Sequence, residues 1–161
     1  MAALHAILPV STADQLADIV RLFRAYEGSL DTDLCFQGFE DEVANLPGKY
    51  APPRGALYIA VAADGEAVGC VALRPVDPDG VCEMKRLYVA PAGRGSGLGK
   101  ALMQAVIGEA RRIGYRQMRL DALPSMTTAQ AMYREAGFVP IDPYYDTPVG
   151  GTVFMALDLK A

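Results

Sequence analysis

The spacing of apolar positions changes along the chain, and each change marks an element. Ala3 to Val10 is a short apolar run closed by Pro9 and Ser11, which predicts a first strand. Thr12 followed by Gln15 has the spacing of a capping box, and Leu16, Ile19, Val20, Phe23 and Tyr26 then recur at helical intervals up to Gly28. Residues 29–37 read as a loop. Phe39, Val43 and Leu46 mark a short second helix, with Glu40, Asp41 and Glu42 near its N-terminus, where the helix dipole favours acids. Residues 47–55, with three prolines and two glycines, form a connecting loop rather than a domain linker. Leu57–Ala63 and Ala67–Arg74 are strand-like and are joined by Asp64-Gly65, a hairpin turn. A second turn, Pro75 to Gly80, leads into a third strand, Val81–Val89.

Helical spacing returns after Gly97, where Leu98, Ala101, Leu102, Ala105, Val106 and Ile113 share a face until Gly114. Gln117 to Ala122 predicts another strand. Pro124 ends it, and Ser125 is the predicted cap of a helix that carries Met126, Ala129, Tyr133 and Ala136 on one face and stops at Gly137. Phe138–Ile141 starts a strand, Pro143–Gly151 is a loop, and Thr152–Leu159 is the last strand. The order is βαα, βββ, αβα, then β-loop-β: a mixed α/β (α+β) chain with an antiparallel front and a helical crossover to a parallel neighbour. There are no internal repeats, and 161 residues suit a single domain over 1–161.

The stretch from Glu83 to Ala101 carries the chemical information. A strand runs into Pro91 and Gly93, then Gly95, Gly97 and Gly99 alternate with Ser96 and Leu98 at the mouth of the long helix. A glycine-rich turn opening a helix offers unpaired N–H groups and the positive dipole end to an anion, and Arg94 and Lys100 add full charges. It is not a Walker loop. Counting back from Gly99-Lys100 puts Arg94 where the first glycine is required, and Ala101 stands where the magnesium-binding hydroxyl belongs. The dinucleotide spacing G-x-G-x-x-G fails as well, at Leu98 or at Lys100.

Arg-Gly-x-Gly-x-Gly directly after a strand ending Leu-Tyr-Val-x-Pro resembles the acyl-CoA pyrophosphate loop of the GNAT superfamily of N-acyltransferases. Ala129 to Phe138 resembles that family's A-x-x-x-Y-x-x-x-G-F element. The resemblance covers nearly the whole chain and is strongest from Glu83 to Phe138. It implies the GNAT fold, a central, mixed, mostly antiparallel sheet of about six or seven strands flanked by about four helices. It implies transfer of an acetyl group from acetyl-CoA, as co-substrate, to a primary amine by direct attack in a ternary complex. Backbone groups of Arg94, Gly95, Ser96, Gly97, Leu98, Gly99, Lys100 and Ala101 would hold the pyrophosphate. Those of Leu87, Tyr88 and Val89 would hold the pantetheine arm, exposed where the fourth and fifth strands splay apart. Tyr133 would be the general acid for the leaving thiolate, since a phenol with a pKa of about 10 keeps its proton at neutral pH. Glu83 would be the general base, sharing one strand face with Lys85, Leu87 and Val89 by alternation. Water chains replace such a base in many relatives, and a salt-bridged strand glutamate is the competing reading. Met126 stands where the family often has an asparagine that bonds the pantetheine, so Ser125, Thr127 or backbone must substitute there. A non-catalytic acyl-CoA sensor on the same fold is the alternative function.

Composition narrows the remaining choices. Three cysteines, Cys35, Cys70 and Cys82, and a single histidine, His5, lack metal-ligand spacing and argue against a metal site or a disulfide scaffold. Cys82 falls on the strand face opposite Glu83 and reads as a core residue. No apolar run is long enough for a membrane span, and the N-terminal stretch lacks signal-peptide features, so a cytoplasmic chain is expected. The net charge of −4 disfavours nucleic acid as a partner. The charge is uneven: residues 1–46 carry eight acids against Arg21 and Arg24, and residues 83–119 carry eight bases against Glu83 and Glu109. The basic middle suits a polyphosphate, and the acidic start could favour a cationic acceptor or be plain solvated surface. Glu27, Phe36, Tyr144, Tyr145 and Asp146 are the candidates for an acceptor pocket, with a small molecule favoured over a protein as acceptor. A sheet edge or the last strand could support a homodimer.

Overall fold

The fold is taken from a computed structural model that describes residues 5–30 and 34–160. Ala3 and Leu4 of the first predicted strand lie outside the described residues. The order is β1 His5–Pro9, α1 Ala13–Gly28, α2 Phe39–Ala44, β2 Ala56–Ala62, β3 Ala67–Val76, β4 Val81–Val89, α3 Leu98–Ile113, β5 Gln117–Ala122, α4 Thr127–Ala136, β6 Val139–Pro140 and β7 Val153–Asp158. Short 3₁₀ turns at Leu34–Gln37, Gly48–Tyr50 and Pro91–Gly93, which apolar periodicity does not register, fill three of the connections. The seven strands form one sheet in the order β1-β2-β3-β4-β5-β7-β6. Every neighbouring pair is antiparallel except β4–β5, which the α3 crossover makes parallel.

The helix starts differ in kind. At α1 the capping box forms: Thr12 Oγ1 accepts from the Gln15 amide at 3.1 Å, and Gln15 Oε1 accepts from the Thr12 amide at 3.1 Å. At α4 the predicted Ser125 cap is absent. Met126 holds the cap position without a side-chain bond, and Ser125 contributes only its carbonyl, which accepts from the Thr127 amide at 2.9 Å.

Two cores flank the sheet. On one face α3 lays Leu98, Leu102, Met103, Val106 and Ile107 over Val71, Leu73, Cys82, Met84, Met118 and Leu120. On the other, Ile19, Leu22 and Phe23 of α1 and Phe39 and Val43 of α2 cover Leu57, Ile59, Cys70 and Ala72. No helix among the described residues is long and apolar enough to cross a membrane.

Strand β4 departs from regular alternation. The β3–β4 register slips between Cys70 and Ala72, and Arg86 sits at φ 59°, the left-handed region that a side chain enters at a cost of about 1–3 kcal/mol. This bulge corrects the expected face assignment. Glu83 and Lys85 share their face with Tyr88, whose neighbour across β3 is Cys70, whereas Leu87 and Val89 turn to the α3 side with Met84. Cys82 is on the α3 side as expected, and burial pushes its thiol up to about 12.

Strand β5 pairs with β4 only through Val81, Cys82 and Glu83. Beyond Glu83 the two strands part, and the β4 edge from Met84 to Val89 borders open space.

Candidate active site

That space is a cleft of about 630 Å³. Met84 to Val89 form one wall, and Leu120, Asp121 and the start of α4 form the other. Arg94 and Gly99 line it from the glycine turn, and Tyr26, Leu30 and Gln37 from α1 and the segment after it.

At the glycine turn the chain prepares a cradle for an anion. Gly95 and Gly97 have φ of 85° and 77°, which β-carbons disfavour, so this turn needs glycine at both positions. Gly97 is the N-cap of α3, and no side chain caps the helix. The bond from the Ala101 amide to the Gly97 carbonyl, at 3.1 Å, closes the first turn of α3. The amides ahead of it remain available to a ligand. Ser96 Oγ braces the turn by donating to the Gly93 carbonyl at 2.9 Å, and Arg94 Nε donates to the Val89 carbonyl at 3.1 Å. Lys100 and Ala101 are exposed on the first helical turn. Of the predicted cofactor-binding residues, Leu87, Tyr88 and Val89 line the cleft along the open β4 edge and Arg94 and Gly99 line it from the glycine turn, whereas Gly95, Ser96 and Gly97 lie outside its lining and the Leu98 side chain is buried in the core. Met126 also lines it, beside Ser125 and Ala129.

Tyr133 reaches the cleft from α4. Its ring packs against Phe138, with centroids 5.7 Å apart. Burial pushes the phenol well above its ordinary value, with smaller contributions from Tyr26 and Asp121. It therefore stays protonated at neutral pH and has a proton to donate. Tyr26 enters from α1 and meets Tyr88 edge to face at 6.0 Å; burial pushes its phenol up to about 12.

Glu83 is elsewhere. It is 1% exposed and does not line the cleft. Arg74 holds its Oε1 from two nitrogens, Nε at 2.8 Å and Nη2 at 2.7 Å, and the Tyr144 hydroxyl donates to Oε2. Both oxygens thus have donors. Tyr144 in turn lies beneath the Arg119 guanidinium at 5.3 Å and packs edge to face on Phe154 at 5.2 Å.

A second set of buried charges does face the cleft. Asp121 on β5 lies opposite Lys85 on β4, with Oδ1 3.5 Å from Nζ. Oδ2 accepts from the Tyr145 hydroxyl at 2.6 Å and from Gln37 Nε2 at 3.4 Å. Gln37 Oε1 accepts from Lys85 Nζ at 3.1 Å and Arg86 Nη1 at 2.8 Å. Arg86 forks Glu42 with bonds of 2.9 and 3.0 Å and lies over the Phe39 ring at 5.2 Å. Burial pushes the Asp121 carboxyl up, but Lys85, the Tyr145 hydroxyl and Arg86 together outweigh it and hold it below its ordinary value.

Of the acceptor-pocket candidates, Tyr145 reaches this cluster through Asp121 and Tyr144 reaches Glu83. Glu27 accepts from the Leu34 amide at 3.3 Å and so braces the turn after α1. Asp146 is exposed. The Phe36 side chain lies outside what the structure describes. Sequence reading passed over Tyr26, Gln37, Arg86 and Asp121. The available signal was charge in the middle of strands otherwise built for burial: Lys85-Arg86 in β4 and Asp121 in β5. Among the described residues, no group of three or more His, Cys, Asp or Glu could hold a metal ion.

The chain resembles known proteins over most of its length. Residues 16–138 match the family model described as the acetyltransferase (GNAT) family. An uncharacterized N-acetyltransferase of Schizosaccharomyces pombe is 39% identical over 154 residues, covering 96% of this chain and 94% of the relative. One of Dictyostelium discoideum is 31% identical, covering 94% and 98%. A GNAT-family acetyltransferase of Staphylococcus aureus superposes with a TM-score of 0.81 over 97% of this chain and 99% of that one; at 18% identity this shows the fold alone.

Proposed function

The chain belongs to the acetyltransferase (GNAT) family, and on that premise we propose that it transfers the acetyl group of acetyl-CoA to a small primary amine within a ternary complex. The observation that carries this reading is the divergence of β4 and β5 after Glu83, with a glycine-built anion cradle beside the gap and a buried phenol, Tyr133, in its wall. The cradle fits a pyrophosphate. It supplies backbone N–H groups, the helix dipole and Arg94, and its glycines leave the approach open. The bare β4 edge fits an amide-rich arm, because strand N–H and C=O groups without a β5 partner can bond one.

In the reaction the amine nitrogen attacks the thioester carbonyl carbon, the C–S bond breaks, the ammonium proton leaves to water, and the thiolate gains a proton. Tyr133 holds its proton toward the departing sulfur, and a positioned acid of this kind contributes about 10²–10⁴ in rate. Backbone N–H groups of β4 stabilise the oxyanion; removal of one such donor costs about 10²–10³ in rate. Glu83 acts as a positioning residue. Its oxygens are occupied by Arg74 and Tyr144, and it tethers the β6–β7 loop to the sheet.

The test is thiol release from acetyl-CoA by the wild-type protein with a panel of amines, alongside calorimetric binding of acetyl-CoA. Amine-dependent release is expected. Binding without release on every amine would favour a sensing module instead, and neither binding nor release would overturn the assignment of the cleft.

A further inference from the structure

Among the described residues, the three ion pairs anchored on β3 and β4 are not alike. Arg74–Glu83 and Arg86–Glu42 close at 2.7 and 2.9 Å; Arg86 bonds both oxygens of Glu42, and Arg74 holds one oxygen of Glu83 while the Tyr144 hydroxyl takes the other. Lys85–Asp121 stays at 3.5 Å, although the two side chains are only 7% and 11% exposed. Desolvating an ammonium and a carboxylate costs several kcal/mol each, and a pair kept only for stability recovers that cost by closing to hydrogen-bond distance. This pair remains partly unspent. Among the described residues, Lys85 gives one proton to Gln37 and faces Asp121 with a second, and its third has no acceptor. Asp121 Oδ1 has only the distant ammonium. Both residues line the cleft, on the edges of the two strands that part to form it.

We propose that Lys85 and Asp121 are the specificity pair for the acceptor, which is an amine that also carries a carboxylate, an amino-acid-like zwitterion. This rests on the transferase reading above and names its substrate class. Asp121 Oδ1 receives the acceptor's ammonium, and Lys85 receives its carboxylate. Gln37 and Tyr145 fix the two side chains from opposite sides, Gln37 by bonding both and Tyr145 by bonding Asp121 Oδ2. A purely cationic amine would meet the Lys85 ammonium across the same gap and leave its third proton without an acceptor.

The experiment compares kcat/KM for α-amino acids, their carboxamides and the amines that remain once the carboxylate is removed, all with acetyl-CoA at saturation. A buried bond to a charged partner contributes about 1.5–3 kcal/mol, so each amino acid should exceed its carboxamide by about 10- to 150-fold. In Lys85→Met that ratio should fall to near one, with the acetyl-CoA Kd held. Equal or better turnover of the carboxamide or the bare amine by the wild type overturns the proposal without any variant. So does an unchanged ratio in Lys85→Met. Acetyl-CoA binding with no transfer to amino acids would overturn the acceptor class alone, whereas absence of acetyl-CoA binding would take the transferase reading with it.

Discussion

At the scale of the residue, two strand carboxylates, Glu83 and Asp121, have separate tasks. Glu83 is surrounded by donors and sealed from the cleft, and Asp121 is open to it on one oxygen. A general base must reach the proton it takes, directly or through one water, and must have a free lone pair to take it. Glu83→Gln should therefore lower turnover by less than about tenfold and leave the acid limb of the kcat/KM pH profile in place, against the 10²–10⁴ loss expected on removing a base. A loss of that larger size, with the acid limb abolished, would return Glu83 to the chemistry. Neither role could be separated from sequence. The partners of Glu83 lie nine residues upstream and 61 downstream, and Asp121 meets Gln37 across 84 positions.

At the scale of the element, β4 is the decisive piece, and its bulge is the feature alternation conceals. Period-2 reading put Leu87 and Val89 beside Glu83. One residue at positive φ reverses that face, and nothing about an arginine announces such a conformation. What holds Arg86 there is the fork on Glu42, the bond to Gln37 and the ring of Phe39, all supplied by α2 and the turn before it. Arg86→Ala should lose that anchorage, keep the strained φ and cost about 3 kcal/mol, because it also leaves Glu42 without its partner. That corresponds to a Tm lower by roughly 6–12 °C for a domain of this size. Arg86→Gly loses the same bonds but not the ease of positive φ, and should melt above the alanine variant. Wild-type melting in the alanine variant would mean that the fork contributes nothing. The glycine turn was legible by contrast, because its requirement is written in residue type: Gly95 and Gly97 occupy the two left-handed positions.

At the scale of the whole molecule, element order and the two cores could be read from apolar spacing, since α1 and α3 carry broad apolar stripes and β2 to β4 are buried on both faces. The cleft could not be read from apolar spacing, because it exists only where pairing stops after Glu83; the family resemblance alone implied that β4 and β5 splay apart. Its charges couple function to stability. The Asp121 carboxyl is held below its ordinary value, so the folded state favours its ionised form. The stabilisation is fully present above the unfolded value of about 3.9 and is lost as pH falls through the lower folded value. Asp121→Asn should therefore melt lower than the wild type at neutral pH, and the gap should narrow as pH drops below about 4. A gap that stays constant into acid would show that Asp121 contributes through its shape rather than its charge. The central claim is that the gap between β4 and β5 seats the thioester with Tyr133 at its sulfur. It is tested most directly by single-turnover rates of wild type and Tyr133→Phe at saturating acetyl-CoA, with the Kd measured in parallel. The account predicts a rate lower by about 10²–10⁴ at an unchanged Kd; an unchanged rate would remove Tyr133 from the reaction and contradict the placement of the thioester.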